Sequence, residues 1–302
     1  MRVTNYLLML SIAFSACKEP FVPFKDPNTL KLLVVDGFID TGGGETTIRL
    51  TQTVDMRGPL TYRPEPDALV KIEGEDGTSI IAKTDLNGFG KFATTLNDQT
   101  QRYKLSITTQ SGKKYTTDFL ENKKSPKIDT IDYKKEDCRL RVVLSTKDKI
   151  NNTRYYRWTF TGGFEGGDEN ISGVGCDLGQ FSKEILVASS ANLAVDNIHE
   201  FPIAFANRNC FKIRAAFKIN VVQYALTEGG YNYLLSMKKN TEKTGGIFDP
   251  LPSELSGNIQ CISNPSEPVI GFLSCGTVSK KVFSVTKGKI FDWAYTSNCV
   301  DL

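Results

Sequence analysis

Apolar and polar residues alternate with a period of two through the first half of the chain. Ile48 and Leu50 interleave with Thr47, Arg49 and Thr51, Val70 and Ile72 with Lys71 and Glu73, and Tyr103, Leu105 and Ile107 with Lys104 and Ser106. Successive side chains of a strand point to opposite faces, so each run predicts a strand with one face buried. Between the runs lie Gly42-Gly43-Gly44, Glu75-Asp76-Gly77, Asn87-Gly88 and Ser111-Gly112, where glycine permits the positive φ of a tight turn. About seven short strands at ~8–12-residue spacing predict an immunoglobulin-like antiparallel sandwich, placed at residues 30–122. Asp85 and Asn87 in "DLNGFGKF" lack the other ligands of a calcium loop and predict a hairpin turn instead.

The charged, proline-containing "ENKKSPK", Glu121 to Lys127, marks a boundary. Alternation resumes beyond it with longer loops, which predicts a second β-rich domain over residues 123–302. Its clearest strand is "FKIRAAFKINVVQY", with Phe211, Ile213, Ala215, Phe217, Ile219 and Val221 on one side and Lys212, Arg214, Lys218 and Asn220 on the other. In the following "LTEGGYNYLLSMKKN", Thr227 can cap a helix, and Tyr231, Leu234 and Leu235 fall at i, i+3 and i+4. One helix near residues 227–240 is therefore expected, with Gly229 and Gly230 weakening its first turn. "KVFSV" near the end returns to alternation.

The N-terminus has a different pattern. Arg2 precedes the apolar run Tyr6 to Phe14, and Ser15-Ala16 places small side chains just before Cys17. This is the layout of an exported precursor, and the run is too short for a permanent span, which needs ~20 apolar residues. Small residues ahead of a cysteine predict a lipoprotein signal over residues 1–16 and lipidation of Cys17. Several acyl chains on one residue suffice for stable anchoring to a membrane. "KEPFVPFKDPNT" then reads as an extended tether, residues 17–29 counted from the cysteine.

Charge and cysteine content narrow the function classes. A formal net charge of +3 without a basic block argues against a nucleic-acid partner. Seven cysteines are present; with Cys17 assigned to lipid, Cys138, Cys176, Cys210, Cys261, Cys275 and Cys299 remain as candidate disulfide cysteines in an oxidising compartment. Six cysteines allow 15 connectivities. None has C-x-x-C spacing, so no zinc site is expected. If "GNIQCIS" and "PVIGFLSC" formed a hairpin, Cys261 would face about Ile270 rather than Cys275. All six follow residue 137, which assigns any disulfide to the second half.

Few residues suggest chemistry. His199 is the one histidine, no G-x-S-x-G elbow accompanies it, and it reads as a loop or strand-edge residue. S-x-x-K occurs at Ser111–Lys114 and Ser236–Lys239 without the companion elements of the serine acyl enzymes. "GGFEGG", Gly162 to Gly167, lacks the lysine of a phosphate loop and reads as a flexible turn. No cofactor is implied. A glycan hydrolase using two distant carboxylates stays open as an alternative. Aromatics are plentiful, with 18 phenylalanines and 11 tyrosines, more than the strand cores obviously consume. Tyr155, Tyr156 and Trp158, the helical Tyr231 and Tyr233, and Phe291, Trp293 and Tyr295 either fill cores or line a binding face. Tyr231, Tyr233, Phe248, Trp293 and Tyr295 are the candidate partner-binding residues.

"VQYALTEGGYNYLLSMKKN", "GGIFDPLPSELSGNI" and "EPVIGFLSCGTVSKKVF", preceded far upstream by "CKEPFVPF" and "LVVDGFID", together resemble domain of unknown function 4249, a family of Bacteroidota lipoproteins. The resemblance is strongest at Gly246-Ile247-Phe248-Asp249, Gly257-Asn258-Ile259 and Gly271-Phe272. It implies an outer-membrane lipoprotein, commonly encoded beside a TonB-dependent receptor, with no established catalytic residues. The expected function is thus a non-enzymatic accessory or binding subunit of such a receptor, held at the cell surface rather than the periplasmic face. A structural or adhesive surface protein is the other alternative. Gly246, Gly257 and Gly271 suit turns or close backbone approach.

Overall fold

The computed structural model describes residues 31–54, 63–150, 152–166, 176, 180–182, 184–242 and 257–295. The predicted signal, Cys17 and its tether, Phe248, the "DPLP" loop and Cys299 lie outside them.

The fold is mainly β, built as two sandwiches in which most strand pairs are antiparallel. In the first, Arg63–Pro64, Thr47–Gln52, Leu33–Asp40, Ser274–Gly276 and Asn122–Lys123 lie side by side, with Phe89–Lys91 pairing to Thr47–Gln52. The second layer runs Ile259–Cys261, Lys114–Thr117, Tyr103–Thr108, Leu69–Gly74 and Ser79–Lys83. Inward residues of both layers form one core that includes Val35, Ile48, Leu50, Val70, Ile72, Leu105 and Ile107. All of these but Val35 are apolar members of the period-two runs, so there the alternation predicted both strand and face. The "DLNGFGKF" turn is a hairpin in which Asp85 Oδ1 accepts the N–H groups of Asn87 and Phe89.

The other sandwich sets Ile128–Lys135, Arg139–Lys147 and Asn197–Asn207 against Gln180–Phe181, Tyr155–Glu165, Ala216–Ala225 and Val278–Thr286, with Leu186–Ser189 also on Tyr155–Glu165. Its core holds Trp158, Tyr156, Phe164, Phe211 and Phe217. A buried Asp196 accepts from Tyr156 Oη at 2.6 Å and Ser190 Oγ at 2.5 Å. The predicted helix spans Glu228–Glu242, and Thr227 Oγ1 accepts the Gly230 N–H at 3.2 Å. That contact satisfies one of the N–H groups a helix start leaves free.

Four sequence expectations need correction. Cys210–Ile213 is a short helical turn and the strand starts only at Ala216; it closes with the Arg214 N–H on the Cys210 carbonyl at 2.8 Å, and a disulfide holds Cys210. Gly162 to Glu165 continue a strand rather than forming a flexible turn, pairing with Ala216 to Ile219. Gly162 has φ +125°, and a β-carbon there would lie 2.3 Å from the Lys218 carbonyl oxygen, a conformation and an approach open to glycine. The segments "GNIQCIS" and "PVIGFLSC" form no hairpin with each other. Ile259–Cys261 pairs antiparallel to Lys114–Thr117, while Ser274–Gly276 lies parallel to both Leu33–Asp40 and Asn122–Lys123. The last correction concerns the cysteines: Cys261 and Cys275 are free thiols buried in the first core, whereas Cys176 bonds Cys210 and Cys138 is also disulfide-bonded.

The chain therefore leaves the first sandwich near residue 124, builds most of the second, and returns to complete the first before adding Val278–Thr286. The boundary segment is held from both sides. Ser125 N–H donates to Thr277 Oγ1 at 2.9 Å, Thr277 N–H to the Lys123 carbonyl at 2.9 Å, and Gln223 Nε2 to the Pro126 carbonyl at 2.8 Å.

Candidate functional site

Period two decides what meets at the seam between the sandwiches. Val35 points into the first core, so Val34, Asp36 and Phe38 face outward; Tyr156 and Trp158 point into the second, so Tyr155, Arg157 and Thr159 face outward. Tyr224 is likewise outward on Ala216–Ala225. These outer faces oppose one another. Phe38 packs edge-on against Tyr224 with centroids 4.9 Å apart, and the Arg157 guanidinium lies 5.6 Å from the centre of the Tyr224 ring. The helix Glu228–Glu242 lies along the seam, where Tyr231 packs on Tyr155 at 5.2 Å and Tyr233 on Phe272 at 5.7 Å. Gly229 and Gly230 make this approach possible, because β-carbons there would stand 3.2 and 3.3 Å from the Phe272 ring.

A cleft of about 340 Å³ opens between these elements. Its apolar wall is Leu234, Met237, Ile270 and Phe272, and its charged residues are the acidic Asp36 and Glu184 and the basic Arg157. A second, more polar hollow of about 320 Å³ shares Asp36, Gly37 and Arg157 with it and carries Asp40, Glu45 and Lys280.

Tyr233 lines the first cleft and is 6% exposed, and its hydroxyl is buried without a hydrogen-bond partner. Burial raises the pKa of this phenol; the nearby Gly271 amide opposes the shift without completing a hydrogen bond, and Asp36 adds to it. An unpaired buried hydroxyl costs ~1–3 kcal/mol.

The sequence-predicted residues are placed unequally. Tyr233 is in the cleft and Tyr231 at its seam. Trp293 lies at the far side of the second core, packed on Phe211 at 6.4 Å with its Nε1 donating to the Glu136 carbonyl at 3.0 Å. Tyr295 ends the short helix Phe291–Tyr295, and Phe248 is outside the described residues. His199 is exposed on a strand; its Nδ1 is 3.4 Å from Ser145 Oγ, which itself accepts the Glu200 N–H at 3.0 Å. Among the described residues no group of histidine, cysteine, aspartate and glutamate could hold a metal ion, and no helix is long and apolar enough to cross a membrane.

Asp36, Arg157 and Met237 went unmarked in the sequence, and Phe272 was marked only as part of the family resemblance. Asp36 lies in "LVVDGFID" and Arg157 between two core aromatics, but an outward polar residue on a strand looks the same whether it meets solvent or another sheet. Gln223 had a clearer signal, a polar residue in register with Phe217, Ile219 and Val221 on the buried face. It accepts from Trp158 Nε1 at 2.9 Å.

With this geometry in place, comparison with known proteins identifies the family. A family model, Domain of unknown function (DUF4249), matches residues 18–282. The chain belongs to this family. No curated protein matches it. Among solved structures, a two fibronectin type-III domain segment from chicken tenascin is similar at 12% identity, covering 65% of this chain and 90% of that one with a TM-score of 0.21. Two stretches in which the sequence most resembles DUF4249 form a structural clasp. A β-carbon on Gly257 would lie 1.9 Å from the Gly271 carbonyl oxygen, and one on Gly271, at φ +136°, would lie 2.2 Å from that of Val35. Asn258 bonds both backbone groups of Leu273, donating from Nδ2 at 2.8 Å and accepting at Oδ1 at 2.9 Å. The clasp presents Ile270 and Phe272 to the cleft.

Proposed function

We propose that this DUF4249 protein is an exported lipoprotein, anchored through Cys17, that serves a TonB-dependent outer-membrane receptor as a non-enzymatic binding subunit and assists uptake of a small ligand. The observation that carries the binding role is the seam cleft, lined by apolar and aromatic side chains together with Asp36, Glu184 and Arg157. Such a hollow with a few polar groups is the usual form of a ligand site. The N-terminal pattern from Arg2 to Cys17 supports the anchor, and the family resemblance supports the outer membrane and the receptor. Anchoring raises the effective concentration of the module near its partner, so a weak contact persists. A surface-facing position is the reading adopted for the anchored body.

Two measurements test this reading. Labelling with a palmitate analogue should mark the wild type, and Cys17→Ala should lose both label and membrane retention; equal retention in the variant refutes the anchor. A pulldown of tagged protein in mild detergent should bring down a TonB-dependent receptor. Absence of any receptor across a range of detergent strengths refutes the partnership.

A further inference from the structure

We infer that the seam cleft takes a hydrophobic dipeptide with free termini, its ammonium group at Asp36, its carboxylate at Arg157 and an apolar side chain against Met237 and Phe272. The inference deepens the binding reading above and rests on it. Size comes first: about 340 Å³ is at the low end of the ~300–1,000 Å³ typical of ligand pockets, which favours a molecule of a few tens of atoms over an oligosaccharide or a lipid. The lining comes next. Leu234, Met237, Ile270 and Phe272 offer an apolar wall, which suits an aliphatic or aromatic side chain and has little to offer a sugar's many hydroxyls.

Charge then chooses among apolar ligands. Among the described residues neither Asp36 nor Arg157 forms an ion pair, and Arg157 is engaged only with the Tyr224 ring. A plain carboxylate entering the cleft would meet Asp36 and also Glu184, while a plain amine would leave the guanidinium unmatched. A zwitterion satisfies both, and charge-assisted hydrogen bonds are the strong ones. Tyr233 contributes its ring to the lining, while its hydroxyl is buried beneath that surface.

The test is calorimetric titration of the purified full chain in mild detergent with the dipeptide Leu-Phe, N-acetyl-Leu-Phe and Leu-Phe-amide. Leu-Phe should bind with one-to-one stoichiometry, and each blocked form about tenfold or more weaker. Arg157→Gln should weaken Leu-Phe but change Leu-Phe-amide little, and Asp36→Asn should show the same selectivity with N-acetyl-Leu-Phe, the pattern of residues coupled to one ligand group. Absence of binding at millimolar Leu-Phe overturns the inference, as does equal binding of the three forms or insensitivity to both charge substitutions. Should Leu-Phe fail while a receptor co-purifies, the ligand class is wrong and the accessory role stands. Selective Leu-Phe binding without any co-purifying receptor upholds the ligand class and removes the receptor partnership.

Discussion

Replacing Asn258 by alanine should loosen the clasp that returns the chain to its first sandwich. The side chain makes two hydrogen bonds, at 2.8 and 2.9 Å, to the carbonyl and N–H of Leu273. Leu273 is only 1% exposed, so water cannot replace the lost partners without the segment opening. Each buried polar group left unpaired costs ~1–3 kcal/mol; with some relaxation shared between two adjacent groups, the expected loss is ~2–4 kcal/mol. Urea unfolding followed by far-ultraviolet circular dichroism should show it as a midpoint about 1 M lower, for a slope of ~2–3 kcal/mol/M. Asn258→Asp is the informative companion. It keeps the acceptor for the Leu273 N–H but sets a carboxylate oxygen against the Leu273 carbonyl, so it should be no more stable than alanine. Both tryptophans, Trp158 and Trp293, belong to the second core, so their fluorescence reports whether that unit follows the first through the transition. A midpoint within ~0.2 M of wild type for Asn258→Ala would mean that the clasp bonds contribute nothing, and the structural account of the family motif would fall.

Two further outcomes follow from buried groups. Cys261 and Cys275, 2% and 1% exposed, should resist iodoacetamide at pH 8 in the folded protein and react only after unfolding, because burial, with Asp40 nearby, pushes the Cys275 thiol up to about 12 and the thiolate is the reactive form; peptide mapping that finds either one labelled natively contradicts this. Stability should also fall with alkaline pH: burial raises Cys275, burial with a Glu267 hydrogen bond raises Tyr115, and burial with an Asp196 hydrogen bond raises Tyr156. These groups stay protonated in the native state after the unfolded chain has begun to release its protons near ~8.5 for cysteine and ~10 for tyrosine. Their contribution is complete below pH ~8.5 and is lost as pH rises toward 12, and urea midpoints that are flat from pH 7 to 11 would contradict it.

How far the sequence could be read depended on which physical rule governed each element. Alternation in "TIRLT", "VKIE" and "YKLSI" correctly located strands and their buried faces, because one-sided burial leaves a period of two whatever the neighbours are. Thr227 likewise marked a helix start, since its hydroxyl answers a local need. Partner choice is not local. Nothing in the three residues of Ser274–Gly276 states that they lie parallel to a strand more than two hundred positions earlier, and the two adjacent runs invited a hairpin that the structure lacks. The clasp glycines were legible as sites of close approach, but not which backbone they approach.

The surplus of aromatic residues shows where a single-layer reading of each strand stops. Alternation sorts side chains into inward and outward, and outward is taken to mean solvent. Phe38, Tyr155, Tyr224 and Tyr231 are outward with respect to either sandwich core, yet they pack on one another where the sheets oppose. They belong to a third layer, created only when the chain crosses back, which the first two cores do not require. Asp36 and Arg157 occupy the same outward register at the edge of that layer, Asp36 exposed and Arg157 half-buried, and both line the cleft with its apolar wall. A strand that spends its solvent face on aromatics and on unlike charges without ion pairs therefore signals a second packing surface, and here the cleft of about 340 Å³ opens along that surface.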